Sequence, residues 1–94
     1  MKKTIYKYEL IFKELDSVTK ELPINSEIVS AQLQNEVITI WVLLNPNEKE
    51  TKMHFLELFG TGHDIGCNIA ISRKFLNTLQ FANGLVFHLF ERFS

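Results

Sequence analysis

Val37-Ile38-Thr39-Ile40-Trp41-Val42-Leu43-Leu44 is the stretch on which the fold turns. Its β-branched and aromatic side chains suit a pleated strand better than a helix. A strand sends successive side chains to opposite faces. Val37, Trp41 and Leu43 therefore share one face, and Ile38, Ile40, Val42 and Leu44 share the other. Both faces are apolar, whereas an antiparallel strand with one wet side alternates apolar and polar residues. The second face is expected to need a cover, from a wrapped second sheet, one short helix or another subunit.

On the N-terminal side, Glu27–Gln34 sets Ile28, Ser30, Gln32 and Gln34 against Val29, Ala31 and Leu33. Asn35-Glu36 then joins it to Val37–Leu44 as a tight hairpin, with Asn35 suited to positive φ. Thr4–Phe12 reads as the first strand, Tyr6, Tyr8, Leu10 and Phe12 on one face and Ile5, Lys7, Glu9 and Ile11 on the other. Glu14-Leu15-Asp16-Ser17 is a turn, and Val18–Leu22 a short return strand closed by Pro23, which lacks the N–H a ladder needs. On the C-terminal side, Asn45-Pro46-Asn47 and the charged run to Lys52 form a loop, and Met53–Phe59 a strand. Gly66–Lys74 fits either a helical turn or two, with Asn68 as N-cap and Ile69, Ala70, Phe75 and Leu76 along one side, or irregular structure, and irregular structure is the reading preferred. Asn83-Gly84 marks a hairpin between Phe75–Phe81 and Leu85–Glu91. The last strand is again apolar on both sides, with Leu85, Phe87, Leu89 and Phe93 opposed by Val86, His88 and Phe90.

These patterns predict an all-β or β-rich α+β fold: six to seven antiparallel strands in a small barrel or two-layer sandwich, with at most one short helix. The expected core is Tyr8, Leu10, Val29, Leu33, Ile40, Trp41, Val42, Phe55, Leu79, Leu85, Phe87 and Leu89. Ninety-four residues, 46% of them hydrophobic, suit one domain over residues 1–94. Charged residues make up 22%, and the net charge is −1. No concentrated basic stripe is present to displace counterions from a duplex, so nucleic acid is not the expected partner. Cys67 is the only cysteine, which excludes an intrachain disulfide. Lys7 and Glu9 interrupt the apolar stretch that a signal peptide requires, and Ile40–Leu44 is far too short to span a bilayer. The chain is expected to stay in the cytosol, off the membrane.

Gly60-Thr61-Gly62-His63-Asp64 is the most suggestive segment, because two glycines let main-chain amides approach a phosphate or nucleotide closely. The longer glycine patterns of nucleotide-binding fingerprints are missing, and a tight turn after Met53–Phe59 explains the same residues. His54, His63, His88 and Cys67 lack the paired short spacings of a zinc site, so no metal is expected, and no cofactor. His54 and His88, set mid-strand, read as packed and hydrogen-bonded. Ser17, Ser26, Ser30, Ser72 and Ser94 lie in no nucleophile elbow, Cys67 reads as an incidental thiol, and Glu48 and Glu50 fall in a solvated loop. Tyr6 and Tyr8 share a face with Leu10 and Phe12, which makes them core rather than a base-stacking platform. No enzyme is expected. Phe87, Phe90 and Phe93, near the chain end, mark an interface, for a protein partner or for a homo-oligomer.

Lys3-Thr4-Ile5-Tyr6-Lys7-Tyr8-Glu9-Leu10, Gly60-Thr61-Gly62-His63 and Gly84-Leu85-Val86-Phe87-His88-Leu89-Phe90-Glu91, with Leu22-Pro23, Gln32-Leu33-Gln34-Asn35 and Trp41, have a familiar order and spacing. Together they resemble a family of short, uncharacterised proteins from tailed bacteriophages and prophages, over nearly the full length. Glu36 departs from it, standing where relatives tend to have glycine. The resemblance implies a phage-encoded accessory protein in the host bacterial cytoplasm, a setting rich in small inhibitors of antiviral defence. The expected function is non-enzymatic binding of a host protein, with oligomeric sequestration of a small nucleotide-like ligand near Gly60–Asp64 as the alternative.

Overall fold

The computed structural model describes residues 2–12 and 16–93. Within them the chain forms seven strands and no helix: β1 (Thr4–Glu9), β2 (Ser17–Pro23), β3 (Glu27–Gln34), β4 (Val37–Leu44), β5 (Thr51–Gly60), β6 (Ser72–Gln80) and β7 (Val86–Phe93). Every pairing is antiparallel. One sheet has the order β1-β4-β3 and the other β2-β5-β7-β6. The architecture is a two-layer sandwich, and its shortest dimension of 20 Å matches two sheets packed about 10 Å apart plus their outer side chains. Of the predicted turn at Glu14–Ser17, Glu14 and Leu15 lie outside the described residues.

The core follows from strand register. Ile38, Ile40, Val42 and Leu44 face inward from β4, joined by Ile28 and Ala31 of β3 and by Leu10. The opposite sheet supplies Leu22, Leu56, Leu58, Leu79 and Leu89. The second sheet is thus the cover for one greasy face of β4. Among the described residues no third layer covers the other face. Trp41 and Leu43 stay half-buried, shaded by the cross-strand neighbours Lys7 and Ser30, and Ile5 and Glu27. Lys7 leans across this surface so that its Nζ donates to Gln34 Oε1 at 3.0 Å.

Three expected core residues are exposed instead: Val29, Phe55 and Leu85. Val29 sits in a β-bulge between Ile28 and Ser30. The extra residue resets the alternation, so Ile28 and Ala31 both turn inward and Val29 is displaced. Phe55 shares the odd-numbered, outward face of β5 with Glu57, and Leu85 belongs to the connection before β7. Tyr8, Leu33 and Phe87 pack against the core while remaining partly exposed. Burial first, then the neighbouring Tyr6, push the Tyr8 phenol above its ordinary pKa of 10.0.

The two sheets are tied at β3 and β6. A second bulge lies between Phe75 and Asn77 of β6, and Asn77 Nδ2 donates to the Ala31 carbonyl at 2.6 Å. A second tie explains Glu36. Asn35 and Glu36 both adopt positive φ, 53° and 65°, as a two-residue hairpin turn demands. That geometry strains a non-glycine residue by about 1 kcal/mol. The Glu36 carboxylate, however, accepts the Ala82 N–H at 3.1 and 3.2 Å, pinning this turn to the β6–β7 connection. Glu36→Ala, which keeps the strain and loses the tie, is expected to destabilise by roughly 1 kcal/mol. Glu36→Gly removes both and should stay within about 0.5 kcal/mol of the parent. Urea unfolding of the two variants checks the difference.

Candidate functional site

The connection between β5 and β6 shapes one outer surface. Both strands run antiparallel to β7, which lies between them, so they are parallel to each other. Residues 61–71 must therefore travel back along the length of β7. The inner side is filled by core, and the path follows the outer side. Thr61 Oγ1 is hydrogen-bonded to His88 Nε2 at 2.7 Å, and Arg73 Nη1 donates to the Gly66 carbonyl at 2.7 Å. Register places both His88 and Arg73 on the outward face. The expected irregular structure over Gly66–Lys74 holds as far as Ile71, with Asn68 Oδ1 accepting the Ala70 N–H at 2.8 Å and the Asn68 carbonyl accepting the Ile71 N–H at 2.9 Å.

The glycine segment opens this crossover. His63 N–H donates to the Gly60 carbonyl at 3.1 Å, and Gly62 takes φ +86° at the third position of the turn, a conformation that favours glycine. A Cβ on Gly60 would lie 2.8 Å from His63 Cε1. The close approach that Gly60 permits is thus occupied by the chain's own imidazole. Thr61, His63 and Asp64 are exposed.

Beyond the crossover, the outward residues of β5, β7 and β6 form three cross-strand rows: Phe55, Arg92 and Arg73; Glu57, Phe90 and Phe75; Phe59, His88 and Thr78. Phe90 meets Phe59 and Phe75 edge to face, with centroids 5.8 and 5.5 Å apart. Arg73 lies over the Phe59 ring at 5.4 Å and Arg92 over Phe55 at 5.7 Å. Two arginines directly opposite each other repel. Glu57 sits between them, its carboxylate accepting Arg73 Nε at 2.8 Å and approaching Arg92 Nη1 at 3.6 Å. Arg92 is the less satisfied of the two, because its buried Nε has no hydrogen-bond partner. Phe75, Met53 and Phe55 rim the surface at 53%, 45% and 39% exposure.

The three C-terminal phenylalanines do not form one patch. Phe90 points outward into the rows above. Phe87 points inward, edge to face with Phe81 at 5.9 Å, beside an apolar cavity of about 420 Å³ that also touches Leu10, Phe12 and Ile38. Phe93 borders a cleft of about 320 Å³ at the opposite end of the sandwich, with Lys52, Lys74 and Glu27. Alternation puts Phe90 on the face opposite to Phe87 and Phe93, and the length of β7 separates those two.

The histidines are likewise dispersed. His88 is held through Nε2 by Thr61 and through Nδ1 by Thr78 Oγ1 at 3.0 Å. His54 faces inward, where its Nδ1 is hydrogen-bonded to Glu91 Oε2 at 2.6 Å, both side chains nearly buried. Both are mid-strand and hydrogen-bonded, as read from sequence. Among the described residues no three His, Cys, Asp or Glu side chains converge to hold a metal ion, and no helix is long and apolar enough to cross a membrane.

Sequence reasoning missed the Glu57–Arg73–Arg92 arrangement and the His54–Glu91 pair. Alternation alone places His88, Phe90 and Arg92 on one face. Only the β5–β7 register brings Glu57 opposite Phe90.

A family model described as Domain of unknown function (DUF7352) matches residues 1–94. No curated protein and no solved structure matches the chain.

Proposed function

This chain belongs to the DUF7352 family, and we propose that it is a non-enzymatic binding protein whose docking surface is the outer face of the β2-β5-β7-β6 sheet. The proposed partner is a host protein, a component of bacterial antiviral defence, and the mechanism is occlusion of that component's working surface. The observation that carries the reading is the set Met53, Phe55 and Phe75, exposed around the incompletely bonded Arg92. Phenylalanine, methionine and arginine are the residue types enriched where protein interfaces bury their centres. The face is also pre-organised. Phe90 is wedged between Phe59 and Phe75, and Arg73 is tied to both Glu57 and Gly66, so little side-chain freedom is lost on docking.

The test is retention of a host protein from bacterial lysate on the immobilised chain, followed by reconstitution with the purified candidate. Phe75→Glu and Arg92→Glu are expected to weaken the reconstituted complex at least about tenfold. Gln32→Glu, on the outer face of the other sheet, should leave it unchanged. Equal binding by all four proteins would rule this surface out.

A further inference from the structure

Four strands lie at sheet edges: β1, β2, β3 and β6. Exposed edges invite pairing, and folds blunt them with bulges, prolines or cover. β3 and β6 each carry a bulge and are tied together through Asn77. Asp16 O accepts from Leu58 N–H, so alternation turns Ser17, Thr19, Glu21 and Pro23 toward the free edge of β2. Pro23 has no N–H to offer there. β1 has neither device.

The Leu10 N–H donates to the Ile38 carbonyl at 2.8 Å, so Leu10, Tyr8 and Tyr6 turn their main-chain groups toward β4. Alternation directs those of Ile5, Lys7 and Glu9 to the open side. All three residues are exposed. A lysine on an edge normally deters pairing, yet here it is followed two residues later by an acid on the same face.

We propose that β1 pairs with β1 of a second copy, antiparallel about a two-fold axis at Tyr8, joining the two β1-β4-β3 sheets into one. In that register Lys7 stands opposite Glu9 of the second copy, and the pair recurs by symmetry. Each such pair directs its N–H and C=O groups at its partner. Ile5, at 54% exposure, meets Ile11 of the second copy, at 69%. The two Tyr8 rings face each other across the axis, an aromatic cross-strand pair. Moving the axis to Lys7 or to Glu9 sets like charges opposite each other. Moving it to Tyr6 sets Glu9 against Lys3 but places Ile5 against Lys7 and separates Ile5 from Ile11. The occupant of this edge is therefore a second copy of the chain, and the site is independent of the outer face of the other sheet.

Sedimentation velocity across a concentration series tests the inference. The parent chain is expected to dimerise. Lys7→Glu and Glu9→Lys should each raise the dimer dissociation constant at least about tenfold, because both symmetric pairs become repulsive. The double substitution Lys7→Glu/Glu9→Lys should restore the parent value, and a mixture of the two single variants should form heterodimers. A parent chain that is monomeric at every concentration overturns the proposal. So does Lys7→Glu dimerising normally while Glu9→Lys does not, the signature of an axis at Tyr6. Far-UV circular dichroism reports folding of each variant, and were either reversal to unfold the chain, Lys7→Gln and Glu9→Gln should still weaken the dimer severalfold or the proposal fails.

Discussion

Leu89→Ala lowers the unfolding free energy by about 3 kcal/mol, an expected loss set by the cavity that truncating a buried leucine leaves behind. Leu89 is fully buried at the middle of β7, opposite Leu58 on one side and Asn77 on the other. β7 is flanked by strands on both sides, so the backbone has little room to collapse into the void. Domains of this size have only about 5–15 kcal/mol in hand. The midpoint of thermal unfolding should fall by about 15 °C, at roughly 4–8 °C per kcal/mol. Phe90→Ala, one residue on, removes a larger side chain from the outward face and should cost about half as much, because its environment is already half-wet. Thermal and urea unfolding of the two variants gives the order. A larger loss for Phe90→Ala would mean that the inward and outward faces of β7 are assigned the wrong way round.

The second large effect concerns His54 and Glu91. Their 2.6 Å hydrogen bond lies where the core opens into the Phe93 cleft, and Glu91 is 5% exposed. In His54→Leu the Glu91 carboxyl keeps its burial and loses its partner, and such orphaned groups cost about 3 kcal/mol. His54→Leu/Glu91→Leu removes the polar pair together and is expected to recover most of that loss, since an apolar pair of similar volume needs no compensation. Equilibrium unfolding of both single variants and the double closes the cycle. A double variant as unstable as the summed singles would show that the two groups act independently.

Both effects bear on how the chain encodes its fold. The strands were legible because a period of two in Val, Ile, Phe and Leu is a local signal. Glu27–Gln34 and Val37–Leu44 were delimited to the residue, and the Asn35-Glu36 turn was visible as a choice of residue suited to positive φ. Glu36 itself was legible only as a departure from glycine. Its reason, the Ala82 N–H, lies 46 residues away in sequence. Phe55 was misplaced because an apolar residue mid-strand reads as core unless the partner strand is known. Its true neighbour is Arg92, on the outward face.

The candidate surface divides in the same way. Gly60 and Gly62 announced a tight turn, and the structure contains one, but nothing local shows that His63 folds back over Gly60 or that the following residues cross the outside of β7. Composition and alternation are properties of neighbouring residues, so the amino-acid sequence by itself determined a chain dominated by antiparallel strands, two of them greasy on both sides, and left open whether one short helix accompanied them. Which face of each strand lies inside, where the Val29 bulge reverses the phase, and how Glu57 comes to stand between two arginines depend on pairings between distant segments. Those pairings are selected by the fit of whole faces in the folded sandwich, and only the tertiary structure decided them.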